Sequence, residues 1–208
     1  MRRLPLYHHY LVDMEAVGTH QISCTRIGSD LGLVPVQVRK DLQYTGITGR
    51  PKTGYCTSEL IQAIETFLGW NKVNEAFLVG AGNLGTAILG HERFSRYGLR
   101  IVAAFDADPS KIGQQIHGKE VLPLDKLNNL ARRMNIHLGI ITAPTESAQQ
   151  VADEMILAGI LAIWNFAPVR LKVPPQIFVH SEDLYASLAS LSRKLATRFQ
   201  SLAPQEQV

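Results

Sequence analysis

No apolar run in the chain approaches the roughly 18 to 20 residues that cross a bilayer, and no basic-then-apolar stretch opens it. A soluble, cytoplasmic protein is therefore expected. Only two cysteines occur, Cys24 and Cys56, and they form no C-x-x-C. Neither a disulfide framework nor a cysteine zinc site is implied, and no metal is expected. Charge of one sign is also scarce: the net balance is +3 over 208 residues, too small to mark a nucleic-acid binder by itself. The charge is, however, unevenly spread. Arg39, Lys40, Arg50 and Lys52 stand against a single Asp41, a basic patch that reads either as a solvated face or as a surface for phosphates.

Up to about residue 72 the pattern is of short helices and turns. Leu4, Tyr7, Leu11, Met14 and Val17 recur at helical spacing before Gly18. Ser23 offers an N-cap for a short helix through Leu31, stopped by Gly32. The next stretch, "LVPVQVRKDLQYTG", has Pro35 in a first turn, Val38 and Leu42 on one face, and Gln37, Lys40 and Tyr44 on another. Two such helices across a tight turn form a helix-turn-helix pattern. A Gly-rich basic loop carrying Arg50 and Lys52 follows, placed as a wing would be, and then a helix over Thr57 to Leu68.

From Asn74 strands alternate with helices, which implies a parallel sheet covered on both faces. "EAFLVGAG", "LRIVAAFDADP", "HLGIITAP" and "ILAIWNFAP" read as strands; "NLGTAILGHERFSRYG" and "TESAQQVADEMILAG" read as helices. A last helical segment carries Leu184, Leu188, Leu191 and Leu195 on one stripe that needs a partner.

The first strand runs into a G-x-G-x-x-G at Gly80, Gly82 and Gly85. An acidic residue, Asp106, ends the next strand. That context points to a dinucleotide: Gly80 permits the turn, Gly82 lets the pyrophosphate approach the backbone, and Gly85 lets helix and strand pack closely. Amides at the helix start, through Ala81, Asn83 and Leu84, would hold phosphates. Asp106 would accept the ribose hydroxyls and repel a 2′-phosphate. Ala107 and Asp108 follow it rather than a cation, which favours NAD and NADH over their phosphorylated forms. A coenzyme A site, or a glycine turn without any cofactor, remains the alternative.

A reaction is harder to find. No Tyr-x-x-x-Lys occurs, no zinc-ligand cluster occurs, and His91, His117, His137 and His180 are scattered. No catalytic residue is assigned, so the dinucleotide is expected to be read rather than used. The competing reading is a small NAD-dependent oxidoreductase with a helical appendage. In the N-terminal part Ser23, Gln37, Arg39, Lys40, Tyr44, Arg50 and Lys52 form the candidate DNA-contacting set, with Arg and Gln suited to base edges and Lys to phosphates. A small helical packing domain is the alternative there.

The blocks "RRLPLY", "QVRKDL", "VGAGNLG", "RIVAAFDADPSKIG" and "ILAIWNFAPVRLKVP" together resemble the Rex family of redox-sensing transcriptional repressors, through nearly the whole chain. The resemblance implies an α/β protein in three parts. These are an N-terminal winged helix-turn-helix domain (1–72), a Rossmann-like parallel-sheet domain (73–180) and a C-terminal domain-swapped helix (181–208). It implies a homodimer on double-stranded operator DNA that is released by NADH. Thr142, Ala143, Pro144, Asn165, Phe166, Ala167 and Pro168 would line the nicotinamide end. Two family residues are replaced: His9 stands where an arginine is usual and His91 where a tyrosine is usual. With Asp183 these positions form the switch set. If His9 faces Asp183, acid should strengthen their contact, since an imidazolium pairs with a carboxylate better than a neutral ring does.

Overall fold

The computed structural model describes residues 3–202. Met1, Arg2 and residues 203–208, the ends of the first and third segments expected above, lie outside the described residues, as do the side chains of Leu184 and residues 200–202. The chain divides into two compact units. The first holds the chain up to Val73 together with Arg93–Leu99, and the second holds Asn74–Glu92 and the chain from Arg100 on.

In the first unit, α1 (Leu4–Ala16) buries Leu4, Tyr7 and Leu11 completely and carries its proline in the first turn, where a missing N–H is harmless. Val17, expected on the same stripe, lies beyond the helix and is exposed. β1 (Gln21–Ile22) precedes α2 (Cys24–Leu31). The Ser23 hydroxyl accepts the Arg26 amide at 3.1 Å to cap α2, and Gly32 closes it in a left-handed conformation. α3 (Pro35–Gln43) starts on its proline and buries Val38 and Leu42. Arg50 and Gly54 exchange two backbone hydrogen bonds, closing a minimal wing. β2 (Tyr55–Cys56) then pairs antiparallel with β1, and α4 (Thr57–Leu68) ends the contiguous part of the unit. Tyr7, Leu11, Ile27, Leu42, Leu60 and Ile64 form its core.

The second unit runs β3 (Asn74–Val79), α5 (Asn83–Leu89), β4 (Leu99–Asp106), β5 (Gln115–Ile116), β6 (Lys119–Pro123), α6 (Leu127–Met134), β7 (Leu138–Ile141), α7 (Thr145–Leu157), β8 (Ala162–Asn165), β9 (Phe178–Ser181) and α8 (Leu184–Leu202). The sheet order is β5-β6-β4-β3-β7-β8-β9. β3, β7, β8 and β9 pair parallel in that order and β4 pairs parallel with β6, while β5 and β6 form an antiparallel hairpin. β5, β6 and β9 were not expected, because "QI", "KEVLP" and "FVHS" are too short or too polar to stand out as apolar runs. Phe77 and Phe105 meet at 4.9 Å between ring centroids, tilted by 56°, within the buried core.

One element departs from the expectation outright. The helix foreseen over "NLGTAILGHERFSRYG" stops at Leu89, and a 3₁₀ segment, Glu92–Tyr97, follows. Two packing demands explain the break. The His117 ring lies where a Cβ on Gly90 would be, 2.5 Å from Nε2. Residues 93–99 then join the first unit, where Gly98, at φ 72, lies so close that a Cβ would meet the Lys72 carbonyl at 2.6 Å. Tertiary packing overrides helix propensity here.

Candidate functional site

The second unit has a cavity of about 870 Å³ at the carboxyl ends of β3, β4, β7 and β8. This is where open α/β sheets hold ligands. Its floor is the turn after β3. Gly80 takes φ 106, and a Cβ there would lie 2.6 Å from the Ala143 nitrogen. A Cβ on Gly85 would lie 2.0 Å from the Gly80 carbonyl oxygen, so the start of α5 sits directly on the turn. Thr142 fixes the arrangement from β7: its hydroxyl donates to the Gly80 carbonyl at 2.7 Å. Gly82 differs from the other two. Its φ of −81 suits any residue, and a Cβ would meet no protein atom within 4 Å. What its missing side chain leaves clear is space in the cavity, next to the first amides of α5, which have no partner within their own helix. Open space beside the free amides of a helix start is the geometry that a phosphate chain requires.

Asp106 closes one side of the cavity and is itself 8% exposed. Its Oδ2 accepts the Ala81 amide at 2.8 Å and the Lys111 ammonium at 3.0 Å; its Oδ1 accepts the Asp108 amide at 2.9 Å. Asp108 also lines the cavity. Its carboxyl is held below the ordinary carboxylate range by the Ser110 hydroxyl and amide and by nearby Lys111.

Of the residues assigned to the dinucleotide, Gly80, Gly82, Leu84, Asp106, Thr142, Ala143, Pro144, Phe166, Ala167 and Pro168 line this cavity. Ala81, Asn83 and Gly85 shape its turn without lining it. Asn165 is placed differently from the expectation. It is fully buried, its amide donates to the carbonyls of Ala167 and Val169 and to Ser181, and its Oδ1 accepts the Ala167 amide. Its work is to hold the loop after β8. Lys111, Glu146, Ser147, Gln150 and Tyr185 line the cavity and were not foreseen. The position of Glu146, Ser147 and Gln150 at the start of the helix after "TAP" was the available signal.

In the first unit a cleft of about 470 Å³ lies among Ser23, Thr25, Arg39, Gln43, Arg50 and Lys52. Arg39, Lys40, Tyr44, Arg50 and Lys52 are exposed. Lys52 adopts φ 67, uncommon for a lysine, at the wing tip. Ser23 lines the cleft while its hydroxyl caps α2. Gln37 does not stand free as expected: it is half-buried and donates to Asp41 Oδ1 at 3.1 Å. Asp41 is the unforeseen organiser. It also accepts Arg3 Nε at 2.7 Å, Arg3 Nη2 at 3.0 Å and the Tyr7 hydroxyl at 2.7 Å, which ties α1 to α3. Its carboxyl is lowered to about 2, chiefly by Arg3, and burial pushes the Tyr7 hydroxyl up to about 12.

The three switch positions have distinct local settings. His9 Nε2 lies 2.7 Å from the Tyr97 hydroxyl, within the first unit. His91 is exposed in the second unit, just after α5. Asp183 is exposed and caps α8, its Oδ1 accepting the Ala186 amide at 2.8 Å. His9 thus has a tyrosine hydroxyl as partner although position 91 holds none.

Among the described residues no helix is long and apolar enough to cross a membrane, and no group of three or more His, Cys, Asp and Glu could hold a metal ion. Residues 71–169 match the family described as a CoA binding domain, and residues 1–43 the family described as a putative DNA-binding protein N-terminus. The redox-sensing transcriptional repressor Rex of Treponema denticola is 46% identical over 95% of this chain and 94% of its own length. That of Bacteroides fragilis is 38% identical over 94% and 89%. A crystal structure of RSP with β-NAD+ and operator DNA superimposes with a TM-score of 0.90 at 34% identity, covering 99% of this chain and 96% of the other. One of RSP with β-NADH gives 0.85 at 34%, covering 97% and 95%. The chain belongs to the Rex family of redox-sensing transcriptional repressors.

Proposed function

We propose that the chain is a regulator rather than an enzyme: a repressor that binds double-stranded operator DNA as a homodimer and lets go when NADH binds, so that it follows the NADH/NAD+ ratio. The observation that carries this is the joining, in one chain, of a Gly82 cradle with an acidic ribose acceptor to a helix-turn-helix with a basic wing. RSP, a similar protein, is described both with operator DNA and β-NAD+ and with β-NADH. Coupling requires only that NADH prefer the arrangement that does not bind DNA, since a ligand shifts an equilibrium by its differential affinity.

In this reading residues 1–72 bind DNA, 73–180 bind NAD or NADH, and 181–208 carry the dimerisation helix of a cytoplasmic protein. Exposed Leu188, Leu191 and Leu195 favour the dimer. His9, His91 and Asp183 form the switch set, with Tyr97 added through its bond to His9. A gel shift on an inverted-repeat operator, with NADH and NAD+ titrated separately, tests the whole. Complex lost with NADH and kept with NAD+ is expected, and binding that persists at saturating NADH sinks the sensor reading.

A further inference from the structure

Asp106 is the residue on which discrimination against a 2′-phosphate would rest, and in this structure it does not stand alone. An ionised carboxylate offers about four acceptor positions. Three are filled: by the Ala81 amide, the Asp108 amide and the Lys111 ammonium. The two backbone amides belong to the turns that build the site. The ammonium sits on a flexible stem, with a third of its side chain exposed, and it also lies 4.0 Å from Asp108 Oδ2. A ribose diol needs more than the one free position, so the group that yields or shares is Lys111.

Lys111 therefore meets the 2′ position of any dinucleotide that Asp106 receives. We propose that Lys111 is a specificity-determining residue of the dinucleotide site. Paired with Asp106 it softens the carboxylate's repulsion of a 2′-phosphate, and without Asp106 it is the receptor for that phosphate. Lys111 thus makes the preference for NADH over NADPH a property of the Asp106–Lys111 pair. The inference rests on the dinucleotide reading of the cavity and adds to it the residue that sets the cofactor's phosphorylation state.

The test is direct titration of NADH and NADPH into the full-length protein, followed by calorimetry, for the native chain, Lys111→Ala, Lys111→Arg, Asp106→Asn and the double variant Asp106→Asn/Lys111→Ala. One charge-assisted hydrogen bond gained or lost corresponds to about tenfold or more in affinity. Asp106→Asn should improve NADPH binding by about that factor, and adding Lys111→Ala should remove the gain. Lys111→Ala alone should raise the native preference for NADH over NADPH by about tenfold, and Lys111→Arg, which keeps the charge, should not. The NADPH gain should also shrink at high salt, as an ammonium–phosphate contact does.

Equal NADPH affinity in Asp106→Asn and the double variant overturns the proposal, as does an unchanged preference in Lys111→Ala. The single Lys111 variants leave the Ala81 and Asp108 amide contacts of Asp106 in place, so they stand even if Asp106→Asn misfolds. A native protein that binds neither dinucleotide overturns the cofactor reading itself, and the role of Lys111 with it. Native NADH binding with a Lys111-independent preference overturns only the latter.

Discussion

His9 and Tyr97 are bonded ring to hydroxyl at 2.7 Å, although 88 positions separate them in the chain. Tyr97 ends the 3₁₀ segment that follows α5, and its ring also meets Trp70 at 4.7 Å between centroids. The segment Arg93–Leu99, although it follows α5 in the chain, is thus built into the first unit. Removing only the hydroxyl, in Tyr97→Phe, forfeits one exposed hydrogen bond, about 0.5 kcal/mol. Tyr97→Ala also removes the aromatic edge contact and should lose about 2 kcal/mol. Thermal unfolding should show the alanine variant melting about 4 to 8 °C lower and the phenylalanine variant barely shifted. Equal shifts in the two would mean that the ring packing contributes nothing.

Asp41 carries a pH dependence whose sign is fixed by its surroundings. Arg3, Tyr7 and Gln37 all donate to it, and its carboxyl is at about 2 in the folded chain against an ordinary 3.8. The stabilisation is complete above pH 3.8 and fades as the pH falls through 2. Because Arg3 is almost half exposed, solvent screening holds the contribution to about 1 to 2 kcal/mol. Urea unfolding at pH 5 and near pH 2 should give a larger loss on acidification in the native protein than in Asp41→Asn. Parallel losses in the two proteins would count against this role. The same variant should weaken operator binding, since Asp41 is what ties α3 to α1.

Gly82 and Gly85 belong to one motif yet should fail differently. An alanine at 82 is in an ordinary backbone conformation with no protein atom within 4 Å, so the fold should hold while the cradle fills. NADH affinity should fall by about tenfold or more with the melting temperature nearly unchanged. An alanine at 85 would press on the Gly80 carbonyl at 2.0 Å, and stability itself should drop by about 1 to 3 kcal/mol. Calorimetric titration beside thermal melts separates the two. A Gly82→Ala protein that binds NADH normally would remove the cradle from the site.

What the residues disclose in advance follows from how local each feature is. Ser23, Gly32, Pro35 and the ends of α4 are legible because caps and first-turn prolines act within a few residues. Gly80, Gly82, Gly85 and Asp106 can be picked out in advance because a glycine turn and an acidic strand end have a fixed spacing, and the structure gathers them at one cavity. Lys111 is hidden because only the turn after β4 brings it back onto Asp106. Asp41 reads as a stray charge until α1 packs on α3 and delivers Arg3 and Tyr7 to it. The break at Gly90 depends on His117 and on the close approach at Gly98, neither of which leaves a local mark. Asn165 lies in the right loop, but its burial, and hence its role as scaffold, comes only with β9 beside β8.

Arg50 tests the proposed nucleic-acid interface by salt rather than by affinity alone. Each exposed cation that neutralises a phosphate releases a counterion, so its loss lowers the slope of log K against log salt by about one per subunit. Arg50→Ala on the wing should therefore weaken operator binding and flatten that slope. Measured by fluorescence anisotropy at several salt concentrations, a weaker affinity with an unchanged slope would assign Arg50 to base contacts in place of phosphates.

The stripe on α8 bears on assembly. Leu188, Leu191, Leu195 and Phe199 recur at three and four residues, and each is more than half exposed. Burying one such side chain is worth about 1.5 to 3 kcal/mol, so a face of four is a strong drive toward a partner with the same face, and a second copy of the chain is the one always present. Leu191→Glu with Leu195→Glu places two charges in that seam. Light scattering should give dimers for the native protein, as proposed, and monomers for this variant. Operator affinity should fall steeply as well, because two half-sites would be bound by separate molecules instead of one linked pair. NADH titration of the same variant distinguishes a dimer needed only for DNA from one that also completes the cavity, where Tyr185 of α8 is already part of the lining. Unchanged dimers would show that α8 packs elsewhere.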